Sequence, residues 1–249
     1  MIGIILAAGR GQRLSRAIDL EKIGPKCLLS INGYTLLERM VSDLVSFDVD
    51  TINIVVGYKA DLVQEVCTTL EKKYDVNFNL VHNEIYLSTN TAYSLHIGLD
   101  RVYDNTVIFN GDVLYDYSIL NNLLEEEETA ISVDNKKTLT AESFKLRIVD
   151  GRIDEMGKTV PIENATGEFI GISKIARNDL KEAKRLLKLL VNDNLNNYYD
   201  LIYQSLSKSG NLTYSFTNAL KWTEIDDIHD LTYAKSIVGI SDRTRGNLQ

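Results

Sequence analysis

The sequence predicts an α/β protein built on a doubly wound, mostly parallel sheet, with a small β-rich lobe inserted in its second half. Three observations lead there. Strand and helix patterns alternate through residues 1–112. A glycine-rich turn follows directly on the first strand, and after about residue 128 the rhythm changes to short strands broken by Asp-Gly and Gly. Alternation of this kind gives parallel strands joined by right-handed helical crossovers, and ligands then gather beyond the strands' carboxyl ends.

The elements follow in order. Residues 2–7 form a short apolar, β-branched run ended by glycine, the mark of a buried strand. Residues 34–47 read as a helix, because Leu36, Leu37, Met40, Val41, Leu44 and Val45 share one face. Thr51 to Val56 is a strand, 60–73 a helix, and Phe78 to His82 a strand. Asn90 to Leu99 is a helix that Thr89 or Asn90 can cap. Thr106 to Phe109 is a strand that stops at Asn110-Gly111-Asp112. Strands are then expected at 129–134, 143–149, 152–157 and 167–175, with Asp150-Gly151 as a hairpin turn. Helices at 177–191 and 196–207, a strand near 212–216 and a helix over 228–238 complete the chain. Glu125 to Glu128 reads as a solvated helix end, and the polar residues from Gly239 as a frayed tail. The organisation is one domain over 1–238: a core (1–128), an inserted lobe (about 129–175) and a closing segment (176–238), then a tail (239–249).

A net charge of -8 argues against nucleic acid as the main partner, since phosphate contacts demand a basic face. Cys27 and Cys67 form no CxxC pair or ligand cluster, which opposes structural zinc and suits a reducing compartment. The apolar run at the N-terminus is too short for a signal or membrane segment and has no basic stretch before it, so the expectation is a cytoplasmic protein without membrane insertion.

The strongest chemical signal is Leu6-Ala7-Ala8-Gly9-Arg10-Gly11-Gln12-Arg13-Leu14, followed by Pro25-Lys26. Glycines at 9 and 11 let a backbone approach phosphate with its amides pointing at the oxygens. Arg13 adds a guanidinium fork and Lys26 a movable point charge. A dinucleotide loop would need a third glycine where Leu14 stands, and a P-loop would need a closing Gly-Lys-Ser/Thr.

This segment resembles the N-terminal signature of the sugar-phosphate nucleotidyltransferase superfamily, and in particular its phosphocholine, aminoethylphosphonate and inositol-phosphate cytidylyltransferases. Gly57-Tyr58 is similar to the family's Gly-Tyr turn. Thr89-Asn90-Thr91 with Ser94-Leu95 resembles its Thr-Asn-Asn-x-x-Ser-Leu segment, with Thr91 in place of the second Asn. The resemblance implies a Rossmann-like nucleotidyltransferase fold, with the 83–95 segment, Asn83 and Thr89 included, near the nucleobase together with the backbone at Leu6 and Ala8. Asn110-Gly111-Asp112 and Trp222-Thr223-Glu224-Ile225-Asp226 resemble the family's two metal-binding segments, which makes Asp112 and Asp226 the expected Mg²⁺ ligands. Asp230 is assigned to the closing helix. Lys145 and Lys158 resemble lysines set over substrate and phosphates, although Glu142-Ser143-Phe144-Lys145-Leu146 matches its segment loosely. Gly167-Glu168-Phe169-Ile170-Gly171-Ile172 matches well, and Tyr198, Tyr199 and Trp222 are the aromatic candidates for the acceptor pocket, with Glu168 as partner for an acceptor amine.

The reaction so implied is transfer of CMP from CTP to a small phosphate- or phosphonate-bearing acceptor, with Mg²⁺ as cofactor and room for a homodimer. Arg13 and the amides of Gly9 and Gly11 would hold pyrophosphate, Lys26 would sit between α-phosphate and acceptor, and Lys158 would aid docking. The alternatives are a sugar-1-phosphate uridylyl- or thymidylyltransferase and a non-catalytic nucleotide-sensing subunit of the same fold. The latter need not keep Arg13, Lys26, Asp112 and Asp226 together. Cytidylyltransferases of the His-x-Gly-His type are excluded because the motif is absent.

Overall fold

A computed structural model describes the backbone of residues 1–245 and the side chains of residues 1–238. Its first half contains β1 (Ile2–Ala7), α1 (Leu20–Ile23), β2 (Ser30–Ile31), β3 (Tyr34–Thr35), α2 (Leu36–Ser46), β4 (Thr51–Val56), α3 (Ala60–Tyr74), β5 (Asn77–His82), α4 (Thr91–Gly98) and β6 (Thr106–Asn110). There follow β7 (Val113–Tyr115), α5 (Tyr117–Glu125), β8 (Ala130–Asp134), β9 (Lys145–Val149), β10 (Arg152–Gly157), β11 (Gly167–Ile175), α6 (Leu180–Asp193), α7 (Leu201–Lys208), β12 (Thr213–Phe216), β13 (Trp222–Glu224) and α8 (Ile228–Arg245).

One sheet runs in the order β10-β9-β11-β6-β1-β4-β5. Strand β1 lies between β4 and β6, parallel to both, and β5 continues the parallel half beyond β4. Helices cover both faces, so β1 reads as an unbroken apolar run: Ile4 and Ile5 point to opposite faces and both are fully buried. Strand β11 lies antiparallel to β9 along the first part of one edge and to β6 along the rest of it, carries β8 antiparallel along its other edge, and β12 adds to β8 in parallel. The β-rich lobe is therefore an extension of the main sheet. A separate ribbon, β7 with β13, pairs Trp222 with Tyr115 and Glu224 with Val113. Among the described residues no helix is long and apolar enough to cross a membrane.

Several boundaries differ from expectation for local reasons. Helix α2 starts at Leu36, because Thr35 accepts a hydrogen bond from the Glu38 amide (3.0 Å) and so caps it, while residues 34–35 pair with β2. Helix α7 starts at Leu201 rather than 196. The preceding segment is pinned to the first turn of α4: the Asn90 and Ala92 amides donate to the carbonyls of Leu195 (2.9 Å) and Asn197 (3.1 Å). Helix α8 continues past Val238 to Arg245, so the stretch read as a frayed tail begins inside a helix; residues 246–249 lie outside the described residues. The Asp150-Gly151 turn has φ of 50° and 74°, the two positive values that a type I′ hairpin requires.

Where the other edge of β11 passes from β9 to β6, its register with β8 shifts between Phe169 and Ser173. Gly171 lies there at φ 81°, and a Cβ on it would come within 2.6 Å of Asn110 Nδ2. Gly171→Ala should therefore destabilise the protein by about 1–3 kcal/mol, from left-handed backbone strain and overpacking together. Urea unfolding measures this; a variant as stable as the parent would show that the bulge relaxes without cost.

Candidate active site

The site begins where β1 ends. Gly11 has φ 62°, and a Cβ there would meet Leu20 at 2.9 Å and Lys26 Cγ at 3.0 Å, so glycine is what lets the Lys26 stem lie beneath the loop. Gly9 faces open space. The Gly111 amide donates to the Leu6 carbonyl (2.9 Å), and a Cβ on Gly111 would sit 2.6 Å from that same oxygen. This close crossing of β6 over β1 sets Asp112 beside the glycine loop. Leu6, Ala8, Gly9, Gly11, Lys26, Asn83, Thr89 and Asp112 all line one cleft. Gly57 does not: a Cβ there would strike Tyr86 at 2.8 Å, so its small size lets the Tyr86 ring close over the cleft. Tyr86 was missed by sequence reasoning, and the bare Gly-Tyr turn gives no pointer to it.

At the far end of this cleft, buried Asn83 donates from Nδ2 to Thr89 Oγ1 (2.9 Å) and Ser94 Oγ (3.2 Å). Asn90 caps α4, its Oδ1 accepting from the Thr91 amide (2.8 Å). The segment is thus a wall of hydrogen-bonding groups in fixed orientation, suited to reading the edge of a base.

The charged centre joins distant parts of the chain. Lys26 Nζ donates to Asp112 Oδ2 (2.9 Å) and Asp226 Oδ1 (2.5 Å), and Arg13 reaches Asp226 Oδ2 (2.5 Å). The β7–β13 ribbon makes this possible, since the Ile225 amide donates to the Asp112 carbonyl (3.0 Å) and brings Asp226 alongside. Burial by itself would lower the Lys26 pKa, but Asp112 and Asp226 outweigh it and hold the ammonium above its ordinary value. Glu224, unassigned from sequence, stands behind them. Enclosure by protein, then the charges of Asp112 and Asp226, push its carboxyl up to about 8, with Lys26 acting in the opposite sense. Asp230 Oδ2 accepts from the amides of Asp226 (2.9 Å) and Asp227 (3.0 Å), so it serves the start of α8.

A second cleft opens on the other side of this centre and shares Thr91, Asn110 and Glu224 with the first. Arg13, Lys158, Glu168, Tyr198, Tyr199, Trp222 and Asp226 line it. Lys158 pairs with Glu142 (3.2 Å) and lies 5.3 Å from the Tyr198 ring centre. One expectation needs correction, that for Lys145, and the packing of Tyr199, Trp222 and Glu168 adds detail to two others. Lys145 lines neither cleft; it is buried, and its ammonium donates to the carbonyls of Thr140, Ala141 and Ser143, which settles a loop. Tyr199 is fully buried, with its hydroxyl 3.2 Å from Asn110 Oδ1 and its ring packed edge-on to Phe169 and Tyr203, so it is chiefly core. Trp222 and Glu168 already have a cation. Lys137 Nζ lies 4.4 Å from the Trp222 ring centre and 3.6 Å from Glu168 Oε1, while the Trp222 indole donates to Asp134. Lys137 thus stands where an acceptor amine was expected and lines the same cleft as Glu168 and Trp222. Lys137 lies in a loop with no local pattern, so sequence reasoning had no handle on it.

Asp112 and Asp226 both offer carboxylate oxygens to one shared cation, here the Lys26 ammonium. Hard anionic oxygens of this kind fit Mg²⁺, which characteristically takes one or two protein carboxylates and fills its shell with phosphate oxygens and water. Among the described residues no group of three or more His, Cys, Asp or Glu side chains could hold a metal alone, so the fit is to a metal arriving with phosphates. Lys26→Met would leave Asp112, Asp226 and Glu224 facing one another. It should destabilise the free protein by about 3 kcal/mol, the scale for unpairing a largely buried charge, and millimolar Mg²⁺ should restore much of the loss. Thermal or urea melts with and without Mg²⁺ check this; a loss indifferent to Mg²⁺ would mean that the two carboxylates do not share a cation.

The chain also has recognisable relatives. Residues 3–155 match the MobA-like NTP transferase domain. The chain is 26% identical to the CTP:phosphoglutamine cytidylyltransferase of Campylobacter jejuni, over 93% of this chain and 98% of that one. It is 38% identical to the 2-aminoethylphosphonate cytidylyltransferase of Lancefieldella rimae, over 39% of this chain and 36% of that one. The solved CTP:phosphocholine cytidylyltransferase of Streptococcus pneumoniae superposes with a TM-score of 0.76 at 23% identity, covering 95% of this chain and 99% of that one, which establishes the shared fold. The glycine loop on β1, the Asp112 crossing and the parallel half-sheet all fall within the matched residues, and the chain belongs to the MobA-like NTP transferase family as a nucleotidyltransferase.

Proposed function

We propose that the protein transfers CMP from CTP to a small acceptor bearing a phosphate or phosphonate, releasing pyrophosphate, with Mg²⁺ as cofactor. The observation that carries this reading is the Lys26–Asp112–Asp226 cluster at the junction of two clefts, one walled by the glycine loop and the 83–94 segment, the other by the lobe. The cytidine assignment draws on the relatives above, which carry CTP or cytidylyl in their names. Residues 1–238 act in this reading as one catalytic unit, and the 129–175 lobe shapes the acceptor side.

An acceptor phosphate oxygen attacks the α-phosphorus in line; the new P–O bond forms as the bond to the β-phosphate oxygen breaks and pyrophosphate leaves with the electron pair. The attacking oxygen is already anionic, so no general base is needed and catalysis is positioning and charge neutralisation. The amides of the Gly9–Gly11 loop and the Arg13 guanidinium bind the departing pyrophosphate. Lys26, freed from its two carboxylates, bridges the α-phosphate and the incoming oxygen. Asp112 and Asp226 hold the Mg²⁺, which supplies Lewis-acid neutralisation of phosphate charge. Asn83, Thr89 and backbone groups at Leu6 and Ala8 read the base; a pocket built for the cytosine amino group leaves a group unpaired against uracil.

The direct test is pyrophosphate release with four nucleoside triphosphates against phosphocholine, 2-aminoethylphosphonate, inositol phosphate and hexose-1-phosphates. CTP with a small acceptor should be used best; equal turnover of UTP, or a hexose-1-phosphate as best acceptor, would overturn the reading in favour of a sugar-nucleotide enzyme. Asp112→Ala and Asp226→Ala should each remove most turnover at saturating Mg²⁺ while circular dichroism shows an intact fold. Arg13→Ala and Lys26→Ala should lower kcat/KM by on the order of a hundredfold, the scale for losing one transition-state charge contact. A loss confined to KM would mean that the two residues only bind.

A further inference from the structure

Strand β6 is apolar from Val107 to Phe109 and then ends on Asn110. Ile108, two residues earlier and on the same face, is fully buried, and Phe109 between them is buried on the opposite face. Two features of the fold attend to the Asn110 side chain. The first is the Tyr199 hydroxyl, which donates to Asn110 Oδ1 (3.2 Å) from a fully buried ring. Burial holds this phenol well above its ordinary pKa, so it keeps the proton that it donates. The second is Gly171. Ile172 pairs with Phe109 across β11 and β6, which sets Gly171 opposite Asn110. A Cβ on Gly171 would lie 2.6 Å from Asn110 Nδ2, 2.9 Å from Cγ and 3.1 Å from Cβ, so the amino end of the amide is the part turned to Gly171. Gly171 lines the second cleft and not the first.

Among the described residues, the bond from Tyr199 is the one hydrogen bond of this side chain, and nothing accepts from Nδ2. Asn53, Asn79, Asn83 and Asn197 by contrast each spend Nδ2 on a protein oxygen. Asn110 is also common to both clefts, together with Thr91 and Glu224. Glu224 brings a carboxyl, and the Thr91 hydroxyl already accepts from the Tyr199 amide (3.1 Å). Asn110 brings two unspent N–H donors, which suit an anionic oxygen that arrives with a ligand.

We propose that Asn110 is a further substrate-binding residue, whose Nδ2 donates to an oxygen of the acceptor's phosphate or phosphonate and holds that group at the junction for attack on the α-phosphorus. The inference rests on the phosphate-acceptor reading above and adds a neutral donor to the charged centre. A neutral amide has a use there that another lysine would lack. It orients one anionic oxygen without pairing with Asp112, Asp226 or Glu224, and it leaves on that oxygen the charge with which it attacks.

The test uses two variants, with phosphocholine, 2-aminoethylphosphonate and inositol phosphate as acceptors at saturating CTP. Asn110→Leu removes both the Tyr199 bond and the donors; Asn110→Asp keeps the size and the Tyr199 bond but has no N–H to give. Both should lose on the order of tenfold or more in kcat/KM on every acceptor that the parent uses, the scale for one hydrogen bond to a charged group. Asn110→Leu should bind CTP with unchanged Kd by calorimetry. Circular dichroism checks each fold, and the isosteric Asn110→Asp carries the test alone if Asn110→Leu does not fold. A purely structural role predicts a different pattern: Asn110→Asp would work as the parent does while Asn110→Leu fails. That result overturns the proposal. A weakened CTP Kd in Asn110→Leu would place the amide on the nucleotide, and losses confined to one acceptor would place it on a head group; either overturns the proposal while cytidylyl transfer stands. Failure of the parent to release pyrophosphate from CTP with all three acceptors would count against the function itself, and the role of Asn110 would fall with it.

Discussion

The whole site turns on one charge balance: a single ammonium shared by two carboxylates that lie 86 and 200 residues along the chain from it. Lys26 follows the glycine loop, Asp112 follows β6 and Asp226 follows β13. None of these side chains could be left alone. Two aspartates with Glu224 behind them repel one another, and burial alone would lower the pKa of the enclosed Lys26 ammonium. The fold answers this by bringing the ends of β6 and β13 to the Lys26 side chain. The Gly111 crossing over Leu6 and the Ile225–Asp112 backbone bond are the contacts that do so.

Much of this arrangement was legible in the sequence. The parallel half-sheet followed from β1, β4, β5 and β6, whose apolar runs and intervening helical periodicity are local properties. The pairing of Asp112 with Asp226 was legible only through resemblance, because nothing local in Trp222 to Asp226 says which strand it will meet. The boundaries that moved are those set by tertiary contacts. Residues 196–200 carry a helical pattern, yet the Asn197 carbonyl accepts from the Ala92 amide and the Tyr199 amide donates to Thr91 Oγ1 in the first turn of α4. Lys145 looked like a phosphate-binding lysine until the loop before it folded back and took its ammonium with three carbonyls. Lys137 and Tyr86 share a different difficulty. Each is an ordinary residue in an unpatterned stretch, and only the shape of a cleft gives it meaning.

The two clefts are built from different material. The first is made of strand ends and a glycine loop, where a substitution meets backbone at once: a Cβ on Gly111 would lie 2.6 Å from the Leu6 carbonyl. The second is walled by side chains from the lobe and from the segment before α7. Lys137 over Trp222 and Lys158 over Tyr198 are long, half-exposed side chains that can move without disturbing the sheet.

The hydrogen bonds that tie residues 195–197 to the first turn of α4 have a thermodynamic corollary. That turn carries Asn90 and Thr91 into the first cleft, and the tied segment leads straight to Tyr198 and Asp200 in the second. Any free energy that one ligand spends in ordering this shared piece of backbone is not spent again by the other. The two occupants are then linked, and linkage is reciprocal: whatever factor the first adds to the affinity of the second, the second returns to the first.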